Sequence, residues 1–278
     1  MRLQWTHDNN KKHTDVPLIK MYSTNINVIG SIPDIDMIIN NISNYAHGEK
    51  GENIKDNFFN QNIYNIRTHK SRSRFLRAIN GVFLQFRSRD HQTVVYSLFR
   101  HPNLSSLKHT ALFFQFAIND KLFYELSKNV FLGLYFAGRL SVDKSEFTSY
   151  IYDLRDKSTD IENWSDSTIK IVASKYLTLL KKLDLVKGRL KKEFRHIIPE
   201  DETIVYVIYL VHSLGDENCD ILKNPYIPFL MLSQQNLIER IKKIALSDFF
   251  NISTLGYDLK INLKYAYEEI IDVIAKRY

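Results

Sequence analysis

Cysteine, glycine, proline and long apolar runs are all scarce in this chain, and each scarcity excludes something. Cys219 is the only cysteine among 278 residues. Neither an intrachain disulfide nor a thiolate metal cluster can form, and a reducing, cytoplasmic setting is the expectation. Nine glycines and six prolines are too few for the many tight turns of an all-β sandwich or barrel. The most apolar stretches, Thr110–Ile118 and Thr203–Leu214, fall far short of the roughly 18–20 residues that span a bilayer. The opening MRLQWTHDNNKKH lacks the apolar core of a signal peptide. No membrane partner is expected.

Catalytic signatures are missing as well. There is no glycine-rich phosphate loop, no HExxH and no Gly-x-Ser-x-Gly elbow. His101 and His109 flank Pro102 and share no helical face, so a two-histidine metal site is not expected. His69 lies in a basic stretch and reads as a phosphate or solvent contact. Asp153, Asp156, Asp160 and Glu162 have the look of a nuclease carboxylate cluster. Arg155 and Lys157 lie among them, and a solvated, ion-paired surface explains them more simply. The expectation is a protein that is not an enzyme, without cofactor or metal.

What the chain does have is a core and a segregated charge. Apolar residues make up 44% and aromatics 13%, enough for a sizeable interior in one large or several small domains. The formal net charge is +7. Between Arg67 and Arg100 eight Lys/Arg face Asp90 alone, which is +7 in one stretch. Between Lys170 and Arg195 nine face only Asp184 and Glu193, +7 again. The remainder is therefore acidic by the same amount. Solubility needs no such segregation; a polyanionic partner does.

The first basic stretch predicts a helix capped by Thr68 or Ser71. Wound at 100° per residue, it puts Phe75, Leu76, Ile79, Val82, Phe83 and Phe86 on one face and Lys70, Arg74 and Arg77 opposite. A short helix from Ile54 to about Asn62 precedes it, and the pair has the outline of a helix-turn-helix. Before these, Pro33 suits a helix start with Ile35, Ile38, Ile39 and Ile42 inward, and Leu18–Tyr22 reads as extended. Leu104–Gly138 predicts two core helices broken near Asn119–Asp120, their aromatics packing rather than stacking on bases. Ser141 is the expected cap of the next segment. Ser165 opens a helix with Ile169, Val172, Tyr176, Leu179, Leu180 and Leu183 inward, and a Leu-Val strand and a basic strand follow, the layout of a winged helix. Thr203–Leu214 is a buried helix, Asn224-Pro225 starts another, and Gln234–Leu246 is amphipathic. A hairpin over Phe249–Leu263 turns at Gly256, and a helix, Tyr265–Lys276, closes the chain. The fold class is thus mainly α: a helical bundle with helix-turn-helix and winged-helix-like elements and short β-hairpins. The expected organisation is a polar arm (1–16), an N-terminal helical region with the basic helix (17–102), a central core with the winged segment (103–199) and a helix–hairpin–helix region (200–278).

Several segments together resemble the BrxA family of bacterial BREX phage-defence systems. They are Tyr22 with Gly30-Ser31-Ile32-Pro33, Asn60, Asn62 and Thr68 leading to Ser71-Arg72-Ser73-Arg74, and the Leu112–Phe131 core. They continue with Trp164-Ser165, Ser167-Thr168 and Leu179-Leu180-Lys181-Lys182-Leu183-Asp184-Leu185-Val186, then Asn224-Pro225-Tyr226 and the closing hairpin with Gly256. The resemblance implies a cytoplasmic, mostly helical, non-enzymatic protein that binds double-stranded DNA. It also implies a fold similar to an RNA-binding transcription antitermination factor, which keeps RNA open as a ligand. The implied partners are other defence proteins, among them a methyltransferase, an ATPase and a phosphatase-like protein.

Residues and resemblance lead to one expectation: duplex DNA held mainly through phosphates. Arg67, Lys70, Arg72, Arg74 and Arg77 are the expected contacts, with Arg87 and Arg89 flanking and Lys187, Arg189, Lys191 and Lys192 forming a second, wing-like set. The rival is an assembly protein docking acidic partners of the same system, or an RNA-binding regulator.

Overall fold

The computed structural model describes residues 21–215, 220–255 and 258–277. The expected polar arm, most of the Leu18–Tyr22 piece, Cys219 and the Gly256 turn lie outside the described residues. The chain is mainly α, and its strands form only short antiparallel pairings.

Near the N-terminus α1 (Asn25–Gly30) is a short helix that the sequence does not announce. It packs against two later helices, one of them the basic helix. The next helix, α2 (Asp36–Ala46), starts three residues beyond Pro33, which sits in the bend before it, and buries Ile38, Ile39 and Ile42. Then comes α3 (Gly51–Phe59), with Phe58 inward and Phe59 partly so. Nine residues separate it from α4 (His69–Phe83), more than the three or four of a tight helix-turn-helix joint. The stretch expected to continue to Phe86 turns at Leu84 and restarts as α5 (Arg89–Arg100), because Ser88 accepts from the His91 N–H and caps a new helix.

The centre is α6 (Ser105–Asn119), whose residues 111–119 are all buried. It ends where Asp120 accepts from the Phe123 N–H at 2.9 Å and starts α7 (Lys121–Glu125). Burial raises the Asp120 carboxyl pKa; hydrogen bonds from Phe123, Ser23 and Asn25 pull it back down. Ser23 and Asn25 thereby moor the start of α1 to the core. The helix runs on through a π-helical stretch, Leu126–Phe131, into α8 (Leu132–Phe136), and Gly138 at φ +74° closes it.

A three-stranded unit follows. Strand β1 (Ser141–Val142) leads into α9 (Lys144–Arg155), α10 (Asp166–Lys182), β2 (Val186–Lys187) and β3 (Lys192–Phe194). The sheet order is β1-β3-β2, with Val142 opposite Lys192 and Lys187 opposite Glu193. The cap of α9 is Asp143, not Ser141: Asp143 and Glu146 form a reciprocal capping box that satisfies two orphan donors, while Ser141 is in the strand. Ser165 caps α10 as expected.

In the last third α11 (Asp201–His212) is buried from Thr203 to Val211 and, with α6, forms the interior. Two 3-10 turns, Ile221–Lys223 before Asn224-Pro225 and Ile227–Leu230 after it, stand in place of the expected α-helix. Pro228 within the second removes a donor that a longer helix would need. The chain ends in α12 (Gln234–Ala245), the hairpin β4 (Phe250–Leu255) with β5 (Asp258–Leu263), and α13 (Ile270–Ala275). Buried side chains from every part of the described chain join one continuous core. No helix among the described residues is long and apolar enough to cross a membrane.

Candidate nucleic-acid interface

Thr68 is extended, and its side chain accepts from the Ser71 N–H at 3.2 Å, so α4 begins just where the cations begin. Phe75, Leu76, Ile79, Val82 and Phe83 go into the core. Lys70, Arg74 and Arg77 are left on the outer face, with Arg67 ahead of the cap and Arg89 in the first turn of α5; all five are exposed. None of them forms an ion pair among the described residues. Arg77 reaches only its own helix, with a long 3.5 Å contact to the Ser73 carbonyl.

Two cations expected at this surface turn inward instead. Arg72 donates to the Ile66 carbonyl at 2.9 Å and the Phe59 carbonyl at 2.8 Å, pinning the 60–68 connection to α4. Arg87 donates to the Tyr226 hydroxyl at 2.6 Å and the Ile118 carbonyl at 3.3 Å, and its guanidinium lies 5.5 Å from the Tyr226 ring centre. Each donates to a carbonyl in the last turn of a helix, Phe59 of α3 or Ile118 of α6, where carbonyls lack intrahelical donors, and a guanidinium supplies several donors at once. They brace the surface from behind.

The second basic set lies at the β2–β3 turn. Gly188, at φ +96°, makes a turn in which a Cβ would collide with the Lys191 carbonyl. Lys187, Arg189 and Lys191 are exposed, and Leu190 at the tip is 97% exposed. Lys192 folds back, donating to the carbonyls of Gly188 at 3.1 Å and Arg189 at 2.6 Å, so it builds the loop rather than projecting from it. Its pKa is lowered, by partial burial first and by Lys181 of α10 second. The end of α10 and the turn therefore belong to one surface. At the base, Arg195 pairs with Asp184 at 2.7 Å.

Other sequence candidates resolve more quietly. His69 stacks on Phe59 at 4.7 Å. Arg155 pairs with Asp166 at 3.0 Å and contacts Asp156 at 4.0 Å, and Asp160 accepts from the Tyr22 N–H. The aromatics of α6 and α7, Phe113, Phe114, Phe116 and Phe123, are buried against one another. Among the described residues no three His, Cys, Asp or Glu side chains converge as a metal site would require. The sequence reading missed the outer face of α10, where Lys170 and Lys181 are exposed; their spacing from Ser174, on the side away from the apolar stripe, was the available signal.

The two cationic surfaces and the core joining them lie within one stretch of similarity: a family model described as BrxA matches residues 38–208. The chain belongs to the BrxA family. Membership gives it a BREX-related role. No curated protein and no solved structure matches it. The BrxA match runs from α2 into α11 and includes α4, α10 and the β2–β3 turn.

Proposed function

We propose that this BrxA-family protein is a non-enzymatic, DNA-binding component of a BREX-type defence system that holds duplex DNA mainly through phosphates. The observation that carries the reading is a set of exposed cations without ion-pair partners among the described residues: Arg67, Lys70, Arg74, Arg77 and Arg89 at one surface, Lys187, Arg189 and Lys191 at the other. Cations held without carboxylates repel one another, and the opposite charge of a polyanion relieves that repulsion while counterions released from its phosphates add a favourable entropy. The chain order β1–α9–α10–β2–β3 with sheet order β1-β3-β2 adds weight to a winged-helix reading of the second surface, the β2–β3 turn being the wing.

Duplex affinity across a salt series, for wild type and for Arg74→Glu/Arg77→Glu, tests it. Each phosphate contact contributes about 0.9 to the log–log salt slope, so the double variant should flatten the slope by about 2. A folded protein that binds no duplex at low salt refutes the reading and leaves the basic faces to protein partners. One observation favours that second role, docking within the same system. A cleft of about 550 Å³ is lined by Tyr135, Ile197, Ile198, Met231 and one face of α12 from Asn236 to Lys243. A partner protein captured equally well by the double variant, in the absence of DNA binding, would establish it.

A further inference from the structure

We propose that α10 reads base edges in the major groove, while the wing lies on the flanking backbone with Leu190 directed at the minor groove. This rests on the duplex-binding reading above and adds to it a site of sequence recognition. Phosphate contacts position a protein but carry no sequence information; that comes from side chains reaching the bases.

Three sides of α10 are fixed by the fold. Ile169, Val172, Tyr176, Leu179 and Leu180 are buried, and the Tyr176 hydroxyl shares a 2.8 Å hydrogen bond with Ser127 of the π-helical stretch. On a second side α1 lies so close that Gly30 leaves no room for a Cβ against Lys175, and Lys182 donates to the Gly30 and Ile32 carbonyls. On a third side α9 packs, and Arg155 at its end neutralises Asp166 at the start of α10. The fourth side is open to solvent along Ser167, Lys170, Ile171, Ser174, Thr178 and Lys181.

That stripe has the chemistry of base readout. Its spacing keeps one face outward over nearly the whole 17-residue helix, and a helix of about 10–12 Å diameter fits a major groove about 12 Å wide. Lysines can donate to guanine O6 and N7, and serine and threonine hydroxyls can donate or accept at any base. Thr178 spends its proton on the Ser174 carbonyl at 3.0 Å and so offers acceptor lone pairs outward. Ile171 is 45% exposed among polar neighbours, where its methyl groups could meet a thymine methyl. The stripe carries no carboxylate. At the wing tip, Leu190 stands between Arg189 and Lys191, an apolar group delivered by flanking cations, the pattern of minor-groove wedges.

The test separates recognition from electrostatics by leaving every charge in place. Ile171→Ala/Ser174→Ala/Thr178→Ala changes only exposed or half-exposed positions, and alanine favours the helix. Wild type and triple variant are each taken through selection from a randomised duplex pool, then compared on the enriched and a scrambled duplex. Wild type should prefer the enriched sequence by about tenfold or more, on the scale of a good base contact. The triple variant should keep the wild-type salt slope and scrambled-duplex affinity while its preference falls below about threefold. Retained preference in the variant, or bulk binding without preference in wild type, overturns the inference and leaves phosphate binding standing. Duplex RNA bound as tightly as the enriched DNA also overturns it, because the narrow A-form major groove does not admit side chains. A folded protein that binds no duplex at low salt defeats the underlying reading and this one together.

Discussion

Replacing Arg87 by Met should separate bracing from binding in the first basic surface. Methionine keeps most of the apolar stem and removes the guanidinium. Two hydrogen bonds go with it, to the Tyr226 hydroxyl at 2.6 Å and the Ile118 carbonyl at 3.3 Å, along with the contact over the Tyr226 ring. A hydrogen bond from a charged donor is worth about 1.5–3 kcal/mol. The shorter bond deserves the full figure, and the longer, in a half-buried setting, adds little. A loss of about 2–4 kcal/mol follows. Unfolding entropy scales as about 2.1 cal/mol/K per residue, which for 278 residues gives about 0.6 kcal/mol/K, so Tm should fall by roughly 3–7 °C. Arg74→Met is the matched control. Its side chain is exposed and has no ion-pair partner among the described residues, so stability should stay within about 0.5 kcal/mol while the salt slope of duplex binding falls by about 1. Calorimetry and a salt titration on both variants decide the matter. If Arg87→Met leaves Tm unmoved and flattens the slope as Arg74→Met does, Arg87 is a phosphate contact and its assignment as a brace is wrong.

His91 predicts a pH dependence. Its Nε2 faces the Gln115 side-chain oxygen at 2.8 Å, while Nδ1 accepts from the Arg87 backbone N–H, so the ring is neutral with its proton on Nε2. Burial, offset in part by Gln115 and reinforced by Arg87, lowers its pKa to about 4. The folded state binds the proton less readily than the unfolded one, so His91's contribution is complete above about pH 6.5 and is lost as pH falls toward 4. Denaturant unfolding at pH 7.5 and 4.5 should differ by on the order of 3 kcal/mol more in wild type than in His91→Gln; equal differences would remove His91 as the cause. At Gly30 a Cβ would lie 2.8 Å from both Cβ and the carbonyl oxygen of Lys175. Gly30→Ala should therefore cost about 1–3 kcal/mol by overpacking, measured as a lower denaturant midpoint, and an unchanged midpoint would mean α1 can shift freely.

Continuous apolar content made α6 and α11 legible from residues alone; Ser165 marked the start of α10 to the residue, while the start of α4 stayed open between Thr68 and Ser71 until the structure placed the cap at Thr68. Charge segregation located both basic surfaces. What escaped was orientation. A strict helical wheel already leans Arg72 towards the apolar face, and the Phe59 and Ile66 carbonyls, placed by the tertiary structure, are the acceptors that hold its guanidinium there. For Arg87 the deciding partner, Tyr226, is 139 residues away. Strand β1, two residues long, carries no periodicity, and α1 is held by packing and by Ser23 and Asn25 on Asp120. The outer stripe of α10 was readable, since its spacing is helical, but attention to the apolar face concealed it.

If both basic surfaces hold DNA as proposed, α1 has a consequence for how they work together. Its six residues, Asn-Ile-Asn-Val-Ile-Gly, carry no charge, and it packs on α4 along one side and α10 along another. It is a spacer of fixed length between two cationic helices that repel each other. The separation of the surfaces is thus built into the folded protein and not chosen by the nucleic acid. When one surface engages, the other is already presented at a high effective concentration at one distance only. A polyanion whose phosphates match that interval gains both contacts at little further entropic cost, and one that does not must make do with either.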